Sequence, residues 1–178
     1  ARRAELVQAW GVADDALPEL PYPRLILADD KGVCGEHFAA RALSPIRLKG
    51  LGEALEELAD RAVDLLSFGG CGALIVNTVD RAQKLYVELR NRLGQDVKIL
   101  LFHARFPADE RAGLEQAVLS CFGPEGDRPQ RALLVATQVA EQSLDIDFDF
   151  MLSDLAPVDL LLQRAGRLHR HVRQRPLM

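Results

Sequence analysis

Apolar positions along the chain change period several times, and those changes mark out its elements. A short helical pattern surrounds Leu6, Val7 and Trp10, and a proline-bearing connector follows at Pro18, Pro21 and Pro23. Leu25–Ala28 is a short apolar run that predicts a strand, and Ala39–Leu48 reads as an extended segment. Leu51, Leu55, Leu58, Ala62 and Leu65 then recur at helical spacing, with acids on the opposite face, until Gly69, Gly70 and Gly72 stop the helix. Beyond this point short apolar runs predict strands at Ala73–Val76, Val97–Phe102, Ala132–Ala136 and Phe148–Leu152. The segments between them predict helices at Asp80–Leu93, Pro107–Leu119, Val139–Gln142 and about Val158–Leu168.

Short apolar strands alternating with helices predict an α/β fold, with a mostly parallel central sheet covered by helices on both faces. Such sheets place ligands at the carboxyl ends of their strands. The loops at that edge carry Asn77 and Thr78, then His103, Arg105 and Phe106, then Thr137 and Gln138, then Ser153 and Asp154. In any one loop such residues could equally be helix caps or turn residues. Their recurrence at one edge favours a site.

With 178 residues, the chain is long enough for one sizeable core, and 48% apolar with 27% charged residues is ordinary for a globular protein. No apolar run reaches the roughly 18 residues that span a bilayer. The N-terminus lacks the apolar stretch and cleavage site of a secretory leader, so a cytoplasmic, membrane-free protein is expected. Cys34, Cys71 and Cys121 form no CxxC pair and are expected as buried apolar side chains. His37, His169 and His171 show no carboxylate or cysteine partner in sequence, and no metal is assigned to them.

The net charge of −4 argues weakly against a nucleic-acid partner, but its distribution changes the picture. After Leu162 the chain carries Arg164, Arg167, Arg170, Arg173 and Arg175 with no acid. Arg164, Arg167 and Arg170 lie three apart, which on a helix aligns them along one side. Guanidiniums so placed call for anions, and arginine suits bidentate phosphate contact. Gly166 would cost about 1 kcal/mol inside a helix, so a helix end or a close backbone approach is expected there. The alternative is a solvated basic helix.

The string QRAGRLHR (163–170) resembles motif VI of superfamily-two helicases, and VATQVAEQSLDID (135–147) resembles motif V, in the right order and at the right distance. ALIVNT and LLFHARF, the latter followed by Glu110-Arg111, resemble motifs IV and IVa. Gln142-Ser143 stands where many RNA helicases have Arg-Gly. The wording from Val135 to His171 is most similar to the type I CRISPR-associated helicase–nuclease family.

The resemblance implies the second RecA-like domain of such a helicase over residues 24–178, with 1–23 as an N-terminal segment or linker. In the family, ATP binds between two RecA-like domains, and the first supplies the phosphate loop and the Mg2+ carboxylates. Arg167 and Arg170 match arginine-finger positions, and Gln163 matches a position that senses the γ-phosphate or attacking water. Asp145 matches an acid that contacts the ribose or coordinates motif VI. Arg164 matches a residue near the nucleotide, linking to the first domain or to neighbouring motifs. Asn77, Thr78, His103, Arg105, Thr137 and Gln138 would lie along a single-stranded DNA track. Phe106 could stack on a base or belong to the core. The implied partners are single-stranded DNA, the first RecA-like and nuclease domains of the same protein, and a crRNA-guided surveillance complex.

No G-x-x-x-x-G-K-[ST] string, no Asp-Glu-x-His and no His-Asp dipeptide occurs. The chain is therefore expected to be a fragment, inactive in ATP hydrolysis and DNA cleavage by itself. Two other readings remain open. One is the second domain of an RNA helicase or restriction-type translocase. The other is a non-catalytic RecA-like or flavodoxin-like interaction module.

Overall fold

The structure, a computed structural model, describes residues 7–11, 17–39, 45–141 and 144–176. By its internal contacts the chain forms two compact units, Ala1–Arg47 and Leu48–Met178.

In the first unit, β1 (Arg24–Asp29) pairs antiparallel with β2 (Gly32–His37), from Arg24 opposite His37 to Asp29 opposite Gly32. The two-residue turn is tied by the Lys31 N–H, which donates to Asp29 Oδ1 at 2.9 Å. The strand expected at Leu25–Ala28 therefore forms, but in a separate hairpin and not in the parallel sheet. Its partner was not expected, because GVCGEH has two glycines and no apolar run. The sequence boundary at Pro23 falls inside this unit. The extended segment expected at Ala39–Leu48 lies partly outside the described residues. Cys34 is exposed, whereas Cys71 and Cys121 are buried as anticipated.

The second unit alternates helix and strand: α1 (Leu55–Ser67), β3 (Gly70–Ile75), α2 (Val79–Leu93), β4 (Lys98–Phe102), α3 (Ala108–Phe122) and β5 (Arg131–Ala136). A short 3-10 turn (Gln138–Glu141), β6 (Phe150–Ser153) and α4 (Val158–Ala165) complete it. The strands pair in the order β4-β5-β3-β6, every pair parallel.

Period-2 alternation divides the core between the sheet's faces. Leu74, Val76, Leu133 and Val135 turn toward α1 and α2, meeting Leu58, Ala62 and Leu66 of α1 and Ala82, Leu85 and Leu89 of α2. Cys71, Ala73, Ile75, Leu134 and Ala136 turn the other way, onto Val118, Cys121 and Phe122 of α3. Each such buried leucine contributes roughly 1.5–3 kcal/mol. Strands buried on both faces read as unbroken apolar runs, which is why they were legible in sequence. The result is the expected three-layer α/β RecA-like fold.

Two glycines are dictated by geometry. A Cβ at Gly72 would lie 2.3 Å from the Phe150 ring, so only glycine lets β6 pack beside β3. Gly94 ends α2 at φ +64°, a left-handed conformation that favours glycine.

α4 is shorter than its periodicity suggests. It stops at Ala165, and Gly166 caps it by donating its N–H to Leu162 O at 2.9 Å. A Cβ at Gly166 would meet ordinary contacts at 3.4 and 3.5 Å, so the glycine marks a helix end and not a close approach. The chain then turns, and Leu168 pairs in parallel with Phe148, just before β6. Among the described residues no helix is long and apolar enough to cross a membrane.

Candidate functional site

The candidate residues fall into two regions. Ile75, Ala136, Phe102 and Ser153 stand in one row across the sheet, so the residues that follow them share the carboxyl edge. The second region lies on the flank of β6, where the chain descends from the 3-10 turn through Leu144–Phe148 and returns after α4.

At the carboxyl edge, Asn77 and Thr78 are exposed between β3 and α2. Thr78 is the N-cap of α2, its Oγ1 accepting the Arg81 N–H at 3.2 Å. Asn77 gives its backbone N–H to Asp154 Oδ2 at 2.9 Å and its side-chain amide to Leu155 O at 2.8 Å. Gln138 reaches Asn77 O at 3.5 Å and is exposed, as is Arg105. Asp154 ties the edge together, because it also pairs with Arg81 Nε at 3.2 Å. Sequence reasoning noted Asp154 in its loop but gave it no role.

Two candidates at this edge are not presented to solvent. His103 is 4% exposed and stacks on Phe106, with centroids 4.2 Å apart and planes 12° from parallel. Neither ring nitrogen has a hydrogen-bond partner among the described residues. Burial, and secondarily the Arg105 charge, hold its pKa below the usual value, so the ring is neutral near pH 7. Half-buried Phe106 belongs to this stack. Thr137 is also 4% exposed, its backbone N–H donating to Phe102 O. The strand-end position that suggested exposure for both instead turns them inward.

On the flank, the three arginines expected along one helical strip diverge, because α4 ends between the first and second of them. Arg164 faces inward at 1% exposure, donating to Ser153 Oγ at 2.7 Å and Asp154 O at 3.0 Å. It links the helix to the end of β6. Arg167 sits on the turn after α4, half-buried, and donates to the Leu144 carbonyl. Burial first, and then Arg170, lower its pKa, against which Asp145 acts; an arginine starting so high stays charged. Arg170 is exposed and pairs through Nε with Asp145 Oδ1 at 2.6 Å. Hydrogen bonds from His171 and then Arg170 hold the Asp145 carboxyl below the ordinary range. Gln163 lies exposed in the last turn of α4. Gln142 and Ser143 lie outside the described residues.

Sequence reasoning missed the network behind this flank. Asp147 is 0% exposed and meets Arg175 at 2.9 Å, Arg173 at 3.0 Å and Arg128 at 3.6 Å. Asp149 meets Arg128 and Arg175, each at 2.7 Å, and accepts the Cys71 N–H at 2.7 Å. Burial disfavours the Asp149 charge, but the Cys71 N–H and the two guanidiniums outweigh it and lower the pKa. Cys71 itself is pushed up to about 11, mainly by burial, and is no nucleophile. Much of the basic charge at the chain's end is thus neutralised from within, contrary to its reading as a call for an external anion. The signal was present in the alternation Asp145-Ile146-Asp147-Phe148-Asp149-Phe150. His171, which had no partner in sequence, finds one in Asp145 at 3.1 Å.

Residues 68–173 match the family described as CRISPR-associated nuclease/helicase Cas3, C-terminal. Cas3 of Thermus thermophilus is 44% identical over 99% of this chain, and Cas3 of Escherichia coli K12 is 47% identical over 65% of it. The chain spans 23% and 13% of those two relatives. The crystal structure of T. fusca Cas3-ADP superposes with a TM-score of 0.77 at 36% identity, covering 98% of this chain and 23% of that one. A CRISPR RNA-guided surveillance complex in its pre-nicking state also aligns, with a TM-score of 0.66 at 36% identity, covering 86% of this chain and 20% of that chain.

Proposed function

Because this chain belongs to the Cas3 nuclease/helicase family, as part of its C-terminal helicase region, we propose that it is the second RecA-like half of an ATP-driven motor on single-stranded DNA. The observation that carries the reading is the coupling of two strings on one flank. Arg170 is held by Asp145, and Arg167 by the Leu144 carbonyl.

The donor chemistry of the flank fits a phosphate anion. Arg167 and Arg170 are cations at its surface, and exposed Gln163 adds an amide donor and acceptor. The acids beside them are engaged by arginines, and among the described residues no group of three His, Cys, Asp or Glu could hold a metal ion. A Mg2+ ion brought with ATP would take its ligands from the first RecA-like domain. Bound ATP supplies the γ-phosphoryl group that passes to water. Arg167 and Arg170 neutralise the charge that develops there, and Gln163 orients the attacking water. Asp145 fixes the direction of Arg170, so less reorganisation is needed when the charge develops. Arg164 positions α4 by its inward bonds and touches no substrate.

At the carboxyl edge, Asn77, Thr78, Arg105 and Gln138 are the exposed groups suited to a phosphodiester backbone. Thr137 supports them from beneath, as does His103 through its stack on Phe106. Contacts of this kind carry no base information, so binding is expected to be sequence-independent and salt-sensitive. The surveillance complex and the nuclease domain would act with this half in the longer protein.

ATP hydrolysis by the full-length protein, stimulated by single-stranded DNA or by RNA of equal length, tests the assignment. Stimulation by DNA well above that by RNA supports it. Equal or greater stimulation by RNA transfers the fold to an RNA helicase, and turnover indifferent to both overturns the motor reading.

A further inference from the structure

His171 follows the arginine string and is absorbed by none of the roles above, yet its ring lies between two charged side chains. Arg173 Nη2 lies 2.8 Å from His171 Nδ1. Guanidinium nitrogens only donate, so Nδ1 must accept. The ring is then neutral, with its proton on Nε2, and Nε2–H donates to Asp145 Oδ1 at 3.1 Å. The same oxygen accepts Arg170 Nε at 2.6 Å.

The remaining contacts close a circuit. Asp147 Oδ2 lies 3.0 Å from Arg173 Nε, and Asp147 Oδ1 accepts the Arg170 backbone N–H at 2.6 Å. Arg170 is therefore held at both ends. Its backbone rests on Asp147, which is buried, while its side chain rests on Asp145, which is exposed. Among the described residues, the side chains joining the two acids within this circuit are Arg173 and His171. An exposed Asp145 would otherwise be free to take another rotamer and release the arginine.

We propose that His171 is a positioning residue for Arg170. In its neutral Nε2–H tautomer, set by Arg173, it aims the Asp145 carboxylate and thereby the Arg170 guanidinium. The proposal rests on the reading of Arg170 as a residue that meets the nucleotide. Its chemical requirement is specific: one acceptor toward Arg173 and one donor toward Asp145. A glutamine offers that pair through Oε1 and Nε2, whereas an alanine offers neither.

The test compares wild type, His171→Ala and His171→Gln in the full-length protein, by DNA-stimulated ATP hydrolysis, with Arg170→Ala alongside. His171→Ala is expected to lower kcat at least about tenfold while KM for ATP changes little, because a misaimed group costs the transition state most. His171→Gln is expected to recover most of kcat. In an Asp145→Asn background, His171→Ala should add little, since both act through one contact. Full turnover by His171→Ala overturns the proposal, as does a glutamine variant no better than alanine when both melt at the wild-type temperature. If Arg170→Ala also turns over normally, the failure lies in the underlying reading. If Arg170→Ala is impaired and His171→Ala is not, only the positioning role is lost.

Discussion

At the carboxyl edge of the sheet, Thr78, Arg105 and Gln138 face solvent with few partners, whereas on the flank of β6 three aspartates hold four arginines among the described residues. The two regions use polar residues differently. The edge leaves hydrogen-bonding groups available to a ligand and anchors itself through one acid, Asp154. The flank consumes most of its own charge, and the cations proposed to meet a nucleotide, Arg167 and Arg170, stand at the border of that network. A run of arginines in sequence therefore overstates the positive charge on offer, because three of the five after Leu162 are paired with acids from residues 145–149.

The largest effect that can break this contrast is expected at Asp147. Asp147→Ala would leave Arg173 without its buried counter-charge and Arg175 with Asp149 alone, and breaking such a pair costs about 3–5 kcal/mol. Denaturant titration of the full-length protein should show this as a lost or strongly shifted transition of this unit. A change within about 0.5 kcal/mol, the range of ordinary surface substitutions, would mean that the network is not structural.

Acid should also weaken the same flank. The Asp149 pKa is lowered in the fold, so its contribution is complete above the ordinary carboxylate value and is lost as pH falls through the depressed native one. Stability measured from pH 6 downward should thus fall in acid, and Asp149→Asn should flatten that fall. An unchanged acid limb in the variant would remove Asp149 from the account.

A smaller effect is expected at the edge. Thr78→Ala removes the α2 cap and should cost about 1 kcal/mol. If Thr78 also touches the DNA backbone, its loss weakens DNA binding beyond what the cap alone explains, and Thr78→Ser should restore both. The smallest effect is at Arg105, where Arg105→Ala should lower single-stranded DNA affinity and reduce the salt dependence of log K by a slope of about 0.7, with melting unchanged. An unaltered slope would take Arg105 off the track.

Much of the parallel sheet was legible because β3, β4 and β5 are buried on both faces and read as apolar runs, and α2 because its stripe, cap and terminal glycine agree. β2 was not, since its residues pair through backbone groups that leave no hydrophobic pattern. The end of α4 was only half legible. Gly166 announced it, but the spacing of Arg164, Arg167 and Arg170 suggested one continuous helical strip. Of the candidate residues, those exposed at strand ends could be named from position alone. The inward turn of His103, Thr137 and Arg164 depends on packing between distant segments, as do the partners of Asp147 and Asp149, and local pattern does not carry that information.

The proposed division of labour is that the flank presents Arg167 to a phosphate while the edge presents a track to DNA. It is tested most directly by Arg167→Ala in the full-length protein, with DNA-stimulated ATP turnover and nucleotide affinity measured together. Turnover is expected to fall by ~10³ or more with ATP affinity largely retained, as for other arginines that serve phosphoryl transfer across a domain boundary. Turnover equal to wild type would contradict it, and the flank would then be a structural ion network alone.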